Sequence, residues 1–459
     1  MVQGSLHRRE IPTERWLKVL VVTSKRLFKN SNLGLFLALL LATGTWFYVQ
    51  HILIPHQIAD AAAHDHPRGN LSDLYPRWLG ARELLLHGRD PYSPAITREI
   101  QAGYYGRAID PSRAGDPLDQ QAFAYPAYVI FLLAPTVNLP LSDVSRGFFW
   151  LLWLASVCSV LLWVRGLRWK ASKSTIAVLS LLTLSSIPFI QGVKLEQFSL
   201  LIAALLAGCA FLLVNGNFMV AGVLLAVCTI KPQLVLPLAA WLILWAASDW
   251  RRRKAFLLGF FLTLGILFGA AEWILPGWIP EFFHAVAAYR QYTHAQSLFD
   301  NLTDGRWGLV LGLAISLMAA VICWRLRHDS EESPRFVFAF ALVLAVTLAT
   351  VPTVSTYNQV LLLPGILLLV HYGPQLWKLN RLTKLAWTFA AAALFWPWVA
   401  AVGLTIASFI LPASRVQEAW ALPFYTSLAI PLAVLGLLFQ YAFQILPSKH
   451  DAALASERR

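Results

Sequence analysis

Long apolar segments recur along the whole chain and are joined by short charged links. An apolar helix of about 20 residues crosses the hydrocarbon core of a bilayer, and a helix satisfies its backbone hydrogen bonds internally. Of the 459 residues, 58% are hydrophobic and only 13% are charged, which excludes an ordinary soluble protein. The sequence therefore predicts an all-α polytopic membrane protein with about twelve transmembrane helices, at residues 33–54, 147–164, 174–190, 198–214, 218–230, 232–247, 255–275, 307–324, 335–351, 357–371, 385–410 and 422–446.

Positive charge is concentrated in the links at residues 165–173, 251–254, 325–327 and 378–384 and in the C-terminal tail. Short loops rich in lysine and arginine stay in the cytoplasm. We therefore expect these links and both termini to be cytoplasmic. The net charge of +13 then reflects orientation in the membrane and not binding to nucleic acid.

The chain is predicted to form a single integral membrane domain over residues 1–459. Its first apolar run begins near Leu33, after a basic stretch and without a cleavage site behind it. Residues 1–32 are therefore predicted to be a cytoplasmic amphipathic segment and not a signal peptide. Residues 447–459 are predicted to be a cytoplasmic tail. The one long polar loop, at residues 55–146, is predicted to be extracytoplasmic and to carry the catalytic residues.

An apolar stretch at residues 123–140 interrupts this scheme. Counting it as a span would move the basic link at residues 165–173 to the outer side, against the positive-inside rule. Pro126, Pro135 and Pro140 favour a broken element, because proline lacks the N–H group that a continuous helix needs. We expect a re-entrant or interfacial segment on the outer side.

The outer loop contains an amphipathic helix within residues 70–92. Leu74, Trp78 and Leu85 recur at the spacing of one helical face, while charged side chains occupy the other. Such a helix is expected to lie flat on a membrane surface. Gly88 can adopt the left-handed conformation that ends a helix.

Asp73 stands at the start of this helix. Asn70 or Ser72 can cap the N-terminus, which places Asp73 in the first turn. The partial positive charge of a helix N-terminus favours an ionised carboxylate there. Asp73 is therefore either a residue that only complements the helix dipole or a carboxylate available for chemistry.

Motifs of soluble enzymes are absent from the sequence, including phosphate-binding glycine loops, His-Glu-x-x-His and Gly-x-Ser-x-Gly. The run His64-Asp65-His66 has ligand-type side chains, but adjacent side chains point in different directions and no further clustered ligand is evident. The four cysteines all lie in apolar segments and are expected to be core residues. We predict neither a metal site nor a cofactor.

The predicted topology gathers many polar residues at the outer surface. Among them, Lys194 and Lys231 are the only lysines outside the segments predicted to be cytoplasmic. A charge beside the outer end of a span needs a partner or reaches the lipid headgroups along its own stem. For Lys194 both interpretations stand. Lys231 is followed by Pro232 and flanked by long apolar runs, which favours a functional cation.

A set of short motifs lies between about residue 33 and residue 372. The motifs are Asp73-Leu-Tyr75, Ala81-Arg-Glu-Leu-Leu, Gly88-Arg-Asp90-Pro91-Tyr92, Tyr125-Pro126, Lys231-Pro232, Asn301 and Ser355-Thr-Tyr357. Together they resemble glycosyltransferase family 87, the polyprenol-phosphate-mannose-dependent mannosyltransferases of the membrane-embedded, C-type superfamily. The resemblance implies a multi-pass protein of a bacterial plasma membrane whose active site faces the periplasm or the cell exterior.

The resemblance also implies a reaction and roles for residues. A hexose, with mannose as first choice, would pass from a polyprenyl-phosphate donor to a glycolipid or glycan acceptor with inversion. One carboxylate is enough for this chemistry, because a polyprenyl phosphate leaves as a stabilised anion whereas a glycosidase also needs an acid. Asp73 is then the base and Lys231 the leading phosphate contact. Further substrate-binding candidates are Tyr75, Asp90, Tyr92, Arg290, His294, Asn301, Arg306 and Tyr357.

Two other functions fit a membrane protein with an outer polar cluster. A transporter or flippase for lipid-linked sugars would bind the same substrate without chemistry, but such folds usually show internal repeats, and none is found between the two halves. An O-antigen ligase or polymerase would be expected to carry its large outer loop much later in the chain. The single long loop near the N-terminus favours the transferase.

Overall fold

The computed structural model describes residues 31–63, 72–110, 112–113, 116–303, 305–352, 354–377 and 381–445. Every regular element in these residues is a helix, which confirms the all-α class. Three predictions fall outside the described residues: the amphipathic segment before the first span, the His64-Asp65-His66 run and the C-terminal tail.

Twenty labels, α1 to α20, cover the α-helices in chain order. They are α1 (Ser31–Tyr48), α2 (Ile54–Ala63), α3 (Leu74–His87), α4 (Pro94–Tyr105), α5 (Val129–Leu133), α6 (Leu141–Gly166), α7 (Lys173–Leu184), α8 (Ile187–Lys194), α9 (Phe198–Val214), α10 (Phe218–Cys228), α11 (Pro232–Ala247), α12 (Trp250–Ile274), α13 (Trp278–Tyr292), α14 (Leu298–Leu302), α15 (Gly305–Arg325), α16 (Pro334–Thr350), α17 (Leu363–Leu376), α18 (Arg381–Ser408), α19 (Ala413–Glu418) and α20 (Ala429–Ile445). A π-helical segment covers Val49–Leu53, and 3₁₀ helices cover Ala134–Thr136, Thr356–Leu362 and Leu422–Phe424.

The protein is a polytopic membrane protein, but the predicted count of about twelve spans is not confirmed. Among the described residues, seven helical segments are long and apolar enough to cross a membrane, and α7 with α8, bent by 57°, makes up to eight. Four predicted spans correspond instead to the shorter apolar helices α9, α10, α11 and α16. Hydropathy recognises an apolar helix whether lipid or protein surrounds it, and α9 and α16 lie largely within the core.

The first span is longer than predicted. Its helix continues past residue 54 as α2 and ends at Ala63, after the π-helical turn at Val49–Leu53. Pro55 follows this turn, and a proline ring clashes with the carbonyl group four residues before it. A π-turn is one way in which a helix absorbs such a break. The predicted polar loop therefore begins as a continuation of the first span.

The apolar stretch at residues 123–140 is a broken element, as its prolines predicted. It forms only the five-residue helix α5 and the 3₁₀ turn at Ala134–Thr136. The helix packs into the core, where Ile130 and Leu133 are fully buried.

The short helix α10 and the long helix α12 cross with their backbones in contact. A Cβ atom on Gly222, in α10, would lie 2.2 Å from the carbonyl oxygen of Phe256. A Cβ atom on Gly259, in α12, would lie 2.2 Å from the carbonyl oxygen of Met219. Any larger residue would force the helices apart. This crossing positions the end of α10, three residues before Lys231.

Three of the basic links predicted to be cytoplasmic, at residues 165–173, 251–254 and 325–327, lie at one end of the helix bundle. Arg168, after α6, lies 3.1 Å from Glu332, after α15, and Arg252, in α12, pairs with Glu331. The C-terminus of α11 lies at this end of the bundle. Its N-terminus, and Lys231 with it, therefore lies at the opposite end.

The side that each end faces is testable by labelling. We expect a cysteine at Ser112 to react with a membrane-impermeant maleimide on intact cells, and a cysteine at Ser172 to react only after permeabilisation, because lysine-rich links stay inside. Both positions are exposed in the structure. The background would carry alanine at the four native cysteines, which are buried or half-buried. Labelling of both positions from the same side would overturn the predicted topology.

Candidate active site

Asp73 is the N-cap residue of α3, one position earlier than predicted. Its carboxylate makes no capping hydrogen bond to the helix. Ser72 makes such a hydrogen bond instead, since its Oγ accepts from the Leu74 N–H at 3.3 Å. The Asp73 carboxylate instead accepts a hydrogen bond from the side-chain amide of Gln197. The carboxylate is therefore not used to stabilise the helix end.

The segment Leu195–Gln197, between α8 and α9, holds the start of α3 in place. The Asp73 N–H donates to the Leu195 carbonyl oxygen at 3.1 Å. The Ser72 hydroxyl donates to Glu196 Oε2 at 2.5 Å. Glu196 has a φ of 49°, in the left-handed region, a conformation that persists in a non-glycine residue only where its surroundings hold it.

Glu196 is a second half-buried carboxylate beside this segment. Ser145 donates a further hydrogen bond to its Oε2, at 3.2 Å. Burial raises the pKa of the Glu196 carboxyl, and the hydrogen bonds from Ser72 and Ser145 act in the opposite direction. Glu196 thus links Ser72, before α3, to Ser145, on α6.

Lys231 is the N-cap residue of α11 and only 5% exposed. Its Nζ donates to Gln197 Oε1 and to Ser199 Oγ, each at 2.8 Å, and lies 5.0 Å from the centroid of the Tyr357 ring. A lysine that reached the lipid headgroups would be exposed at its tip, so that interpretation does not describe Lys231. Lys194, the other candidate, is half-buried and donates to the side chain of Gln57.

The polar cluster continues onto the 3₁₀ helix Thr356–Leu362. Ser199, which is fully buried, donates to Asn358 Oδ1 at 2.6 Å. Asn358 is 6% exposed. Buried polar side chains of this kind stabilise one arrangement when each has a partner. The cluster thus connects α3, α9, α11 and the segment before α17.

Arg77 is a site residue that the sequence reasoning missed. It follows Asp73 by four residues, and its guanidinium lies 4.3 Å from the centroid of the Tyr125 ring. Its Nε is buried without a hydrogen-bond partner among the described residues. The i, i+4 spacing to Asp73 places both side chains on one helical face, and this signal was available in the sequence.

The amphipathic pattern of helix α3 predicted a helix on a membrane surface, and the structure buries several of its faces within the protein. Leu74 and Trp78 are buried, and so are Gly80 and Glu83 on other faces of the helix. Glu83 accepts from Arg89 at 2.8 Å. The helix is packed within the protein because its polar face is covered by its own loop.

The remaining candidates from the loop contact other parts of the loop. The hydroxyl of Tyr75 packs against Gly103, where an added Cβ would meet it at 1.9 Å. Asp90 accepts from the Tyr92 N–H at 2.9 Å, and the Tyr92 hydroxyl donates to the Tyr125 carbonyl oxygen at 2.5 Å. Tyr92 thus supports the tyrosine on which Arg77 lies.

The candidates between α13 and α15 form a separate group. Arg290, His294, Asn301 and Arg306 are exposed and make no hydrogen bond or ion pair with Asp73 or Lys231 in the described part of the chain. His294 and Asn301 line an open cavity of about 350 Å³, whose other lining residues are Tyr289, Thr293, Ala295, Gln296, Val354 and Leu428. Asn301 also donates to the Ser297 carbonyl oxygen at 2.9 Å.

Metal ligands do not cluster in the residues that the structure describes: no group of three histidine, cysteine, aspartate or glutamate side chains could hold an ion. Independence from metal stays a prediction, tested below.

The fold and this cluster define a polytopic membrane enzyme that collects a carboxylate and two cations at one end of its helix bundle. The chain belongs to glycosyltransferase family 87, whose family model matches residues 123–356, just over half of its length. No curated protein and no solved structure gives a significant match.

The family match is shorter than the predicted resemblance, which extended from about residue 33 to residue 372. The matched residues contain Tyr125, Gln197 and Lys231 and end one position before Tyr357. Asp73 and the rest of α3 precede the match. Their place in the site rests on the contacts described above.

Proposed function

We propose that this glycosyltransferase moves a hexose, with mannose as first choice, from a polyprenyl-phosphate donor to a lipid or glycan acceptor, with inversion at the anomeric carbon. One observation carries the proposal. Three residues far apart in sequence, Asp73, Gln197 and Lys231, form a continuous chain of hydrogen bonds from a carboxylate to a buried ammonium group.

Asp73 acts as the general base. A sugar hydroxyl is a weak nucleophile at neutral pH and needs an acceptor for its proton as the new bond forms. The acceptor oxygen attacks the anomeric carbon, its proton passes to the Asp73 carboxylate, and the bond to the phosphate oxygen breaks with its electron pair. The polyprenyl phosphate leaves as an anion and needs no acid.

Lys231 and Arg77 bind the phosphate of the donor. Neither makes an ion pair with a carboxylate in the described residues, although Lys231 is almost fully buried and Arg77 half-buried. The one carboxylate that acts on both cations is Asp73, which pairs directly with neither, so a bound anion stabilises both further. Arginine matches the geometry of phosphate oxygens and lysine supplies a point charge.

Family membership favours this enzyme over a non-enzymatic transporter or flippase for lipid-linked sugars. The proposed setting is a bacterial plasma membrane, with the loop at residues 55–146 and the active site at the periplasmic or outer face. The partners are then the polyprenyl-phosphate sugar, a glycolipid or glycan acceptor and the bilayer itself.

The test is an assay of purified protein in lipid with a panel of polyprenyl-phosphate sugars and nucleotide sugars. We expect transfer from a polyprenyl-phosphate hexose and none from a nucleotide sugar, without dependence on a divalent cation. A lipid monophosphate carries less charge than a pyrophosphate, so protein cations suffice to neutralise it.

Two outcomes would contradict this proposal in different ways. Transfer only from a nucleotide sugar would overturn the donor class. Activity that a chelator abolishes and magnesium or manganese restores would leave the donor class intact and refute metal independence.

A further inference from the structure

We propose that Gln197 is the positioning residue of this site: its amide holds one oxygen of Asp73 and ties that carboxylate to Lys231. The inference rests on the proposed function, because it takes Asp73 as the base. It adds a residue that lies between the base and the phosphate contact and does no chemistry of its own.

The chemistry of its partners sets the orientation of the Gln197 amide. An ammonium group can only donate hydrogen bonds, so Lys231 must face the amide oxygen, Oε1, from which its Nζ lies 2.8 Å. The amide nitrogen then faces Asp73 and donates to Oδ2. Turning the amide over would set donor against donor at Lys231. Asp73 is therefore offered a hydrogen bond that suits its ionised form.

The two oxygens of the Asp73 carboxylate differ as a result. Oδ2 is held by Gln197, and Oδ1 has no hydrogen-bond partner among the described residues. A general base needs an oxygen that the acceptor hydroxyl can reach and a fixed direction for it. Gln197 supplies the fixed direction and leaves Oδ1 open.

The Gln197 side chain has no other task in the structure. It is 1% exposed, and its two polar atoms are both used on Asp73 and Lys231. Its backbone is anchored separately, by an N–H donated to the Gly192 carbonyl oxygen at 2.8 Å. Replacing the side chain therefore removes the link between base and lysine and leaves the backbone contacts of the segment in place.

The experiment compares Gln197→Met, which keeps the length and loses both hydrogen bonds, with Gln197→Glu. The matched control is Gln101→Met, at a buried glutamine whose amide binds the backbone of Gln120 and Ile109 in the loop. Each purified variant is assayed for kcat and for donor KM with the polyprenyl-phosphate sugar that the donor panel identifies.

For Gln197→Met we expect kcat to fall by about ten- to a hundredfold, the scale of a charge-assisted hydrogen bond, with donor KM within about threefold of wild type. In Gln197→Glu, the new carboxylate repels Asp73 and pairs with Lys231, so kcat should fall and donor KM should also rise. Gln101→Met should leave kcat and donor KM close to those of wild type.

The inference fails if folded Gln197→Met and Gln197→Glu both keep the wild-type kcat. It also fails if Gln101→Met lowers kcat equally, since the effect would then be one of stability. Failure of the proposed function looks different: Asp73→Asn would remain active, whatever the Gln197 variants do. If Asp73→Asn is inactive while the Gln197 variants match wild type, only the positioning role is lost.

Discussion

Asp73→Asn should abolish most sugar transfer, with a fall in kcat of at least about a hundredfold, the usual scale of a general base. The amide oxygen of asparagine can still accept from Gln197, so the variant should fold, insert and bind donor lipid. An amide cannot take the proton of the acceptor hydroxyl, and this single loss accounts for the effect. The measurement is steady-state transfer at saturating donor, with donor binding assayed separately.

The controls for this prediction are other carboxylates of the same loop. Asp90→Asn keeps the oxygen that accepts from the Tyr92 N–H, and Asp60 is exposed on α2, so both variants should stay within a fewfold of wild type. An active Asp73→Asn beside an inactive Asp90→Asn or Asp60→Asn would mean that a different carboxylate is the base. Activity in all three would exclude base catalysis by any of them.

Lys231→Ala should raise the KM of the donor lipid by roughly ten- to a hundredfold, or about 1.5–3 kcal/mol, the value of a hydrogen bond to a charged group. The expected size follows from burial: Lys231 is 5% exposed, so its contact with a phosphate is poorly screened by water. Initial rates over a range of donor concentrations give KM and kcat separately.

Lys194→Ala is the matched control, because Lys194 is the other lysine predicted at the outer side and its ammonium group donates to Gln57, on α2. Its donor KM should stay close to that of wild type. Arg77→Gln belongs in the same series and should raise donor KM in the same direction as Lys231→Ala, since both cations are proposed to face one phosphate. Unchanged donor kinetics in Lys231→Ala would show that the lysine is structural.

Periodicity and hydropathy were enough for the class of this protein. The apolar segments are helical in the structure, and the prolines of residues 123–140 do break that stretch. The ends of helices were predicted less accurately, because a proline does not always end a helix. Before Pro55, a π-helical turn accommodates the proline and the helix continues to Ala63. The predicted count of about twelve spans is not confirmed for a related reason, since an apolar helix buried in protein has the same composition as one in lipid.

The parts of the site were visible in the sequence, but their arrangement was not. Asp73 at a helix start and Lys231 between two apolar helices are local signals, and both were predicted as site residues. Gln197 lies 124 positions after Asp73, and the contact between them depends on how α3 packs against the start of α9.

By itself, the sequence determined the helical class, the membrane setting and the chemical types of residue available for catalysis, because these follow from local composition and spacing. Only the tertiary structure decided that Lys231 is buried, that Arg77 lies over Tyr125 and that Gln197 links the Asp73 carboxylate to the Lys231 ammonium group. The physical reason is that burial and hydrogen-bond orientation are properties of surroundings that come from distant parts of the chain, and no local pattern records them.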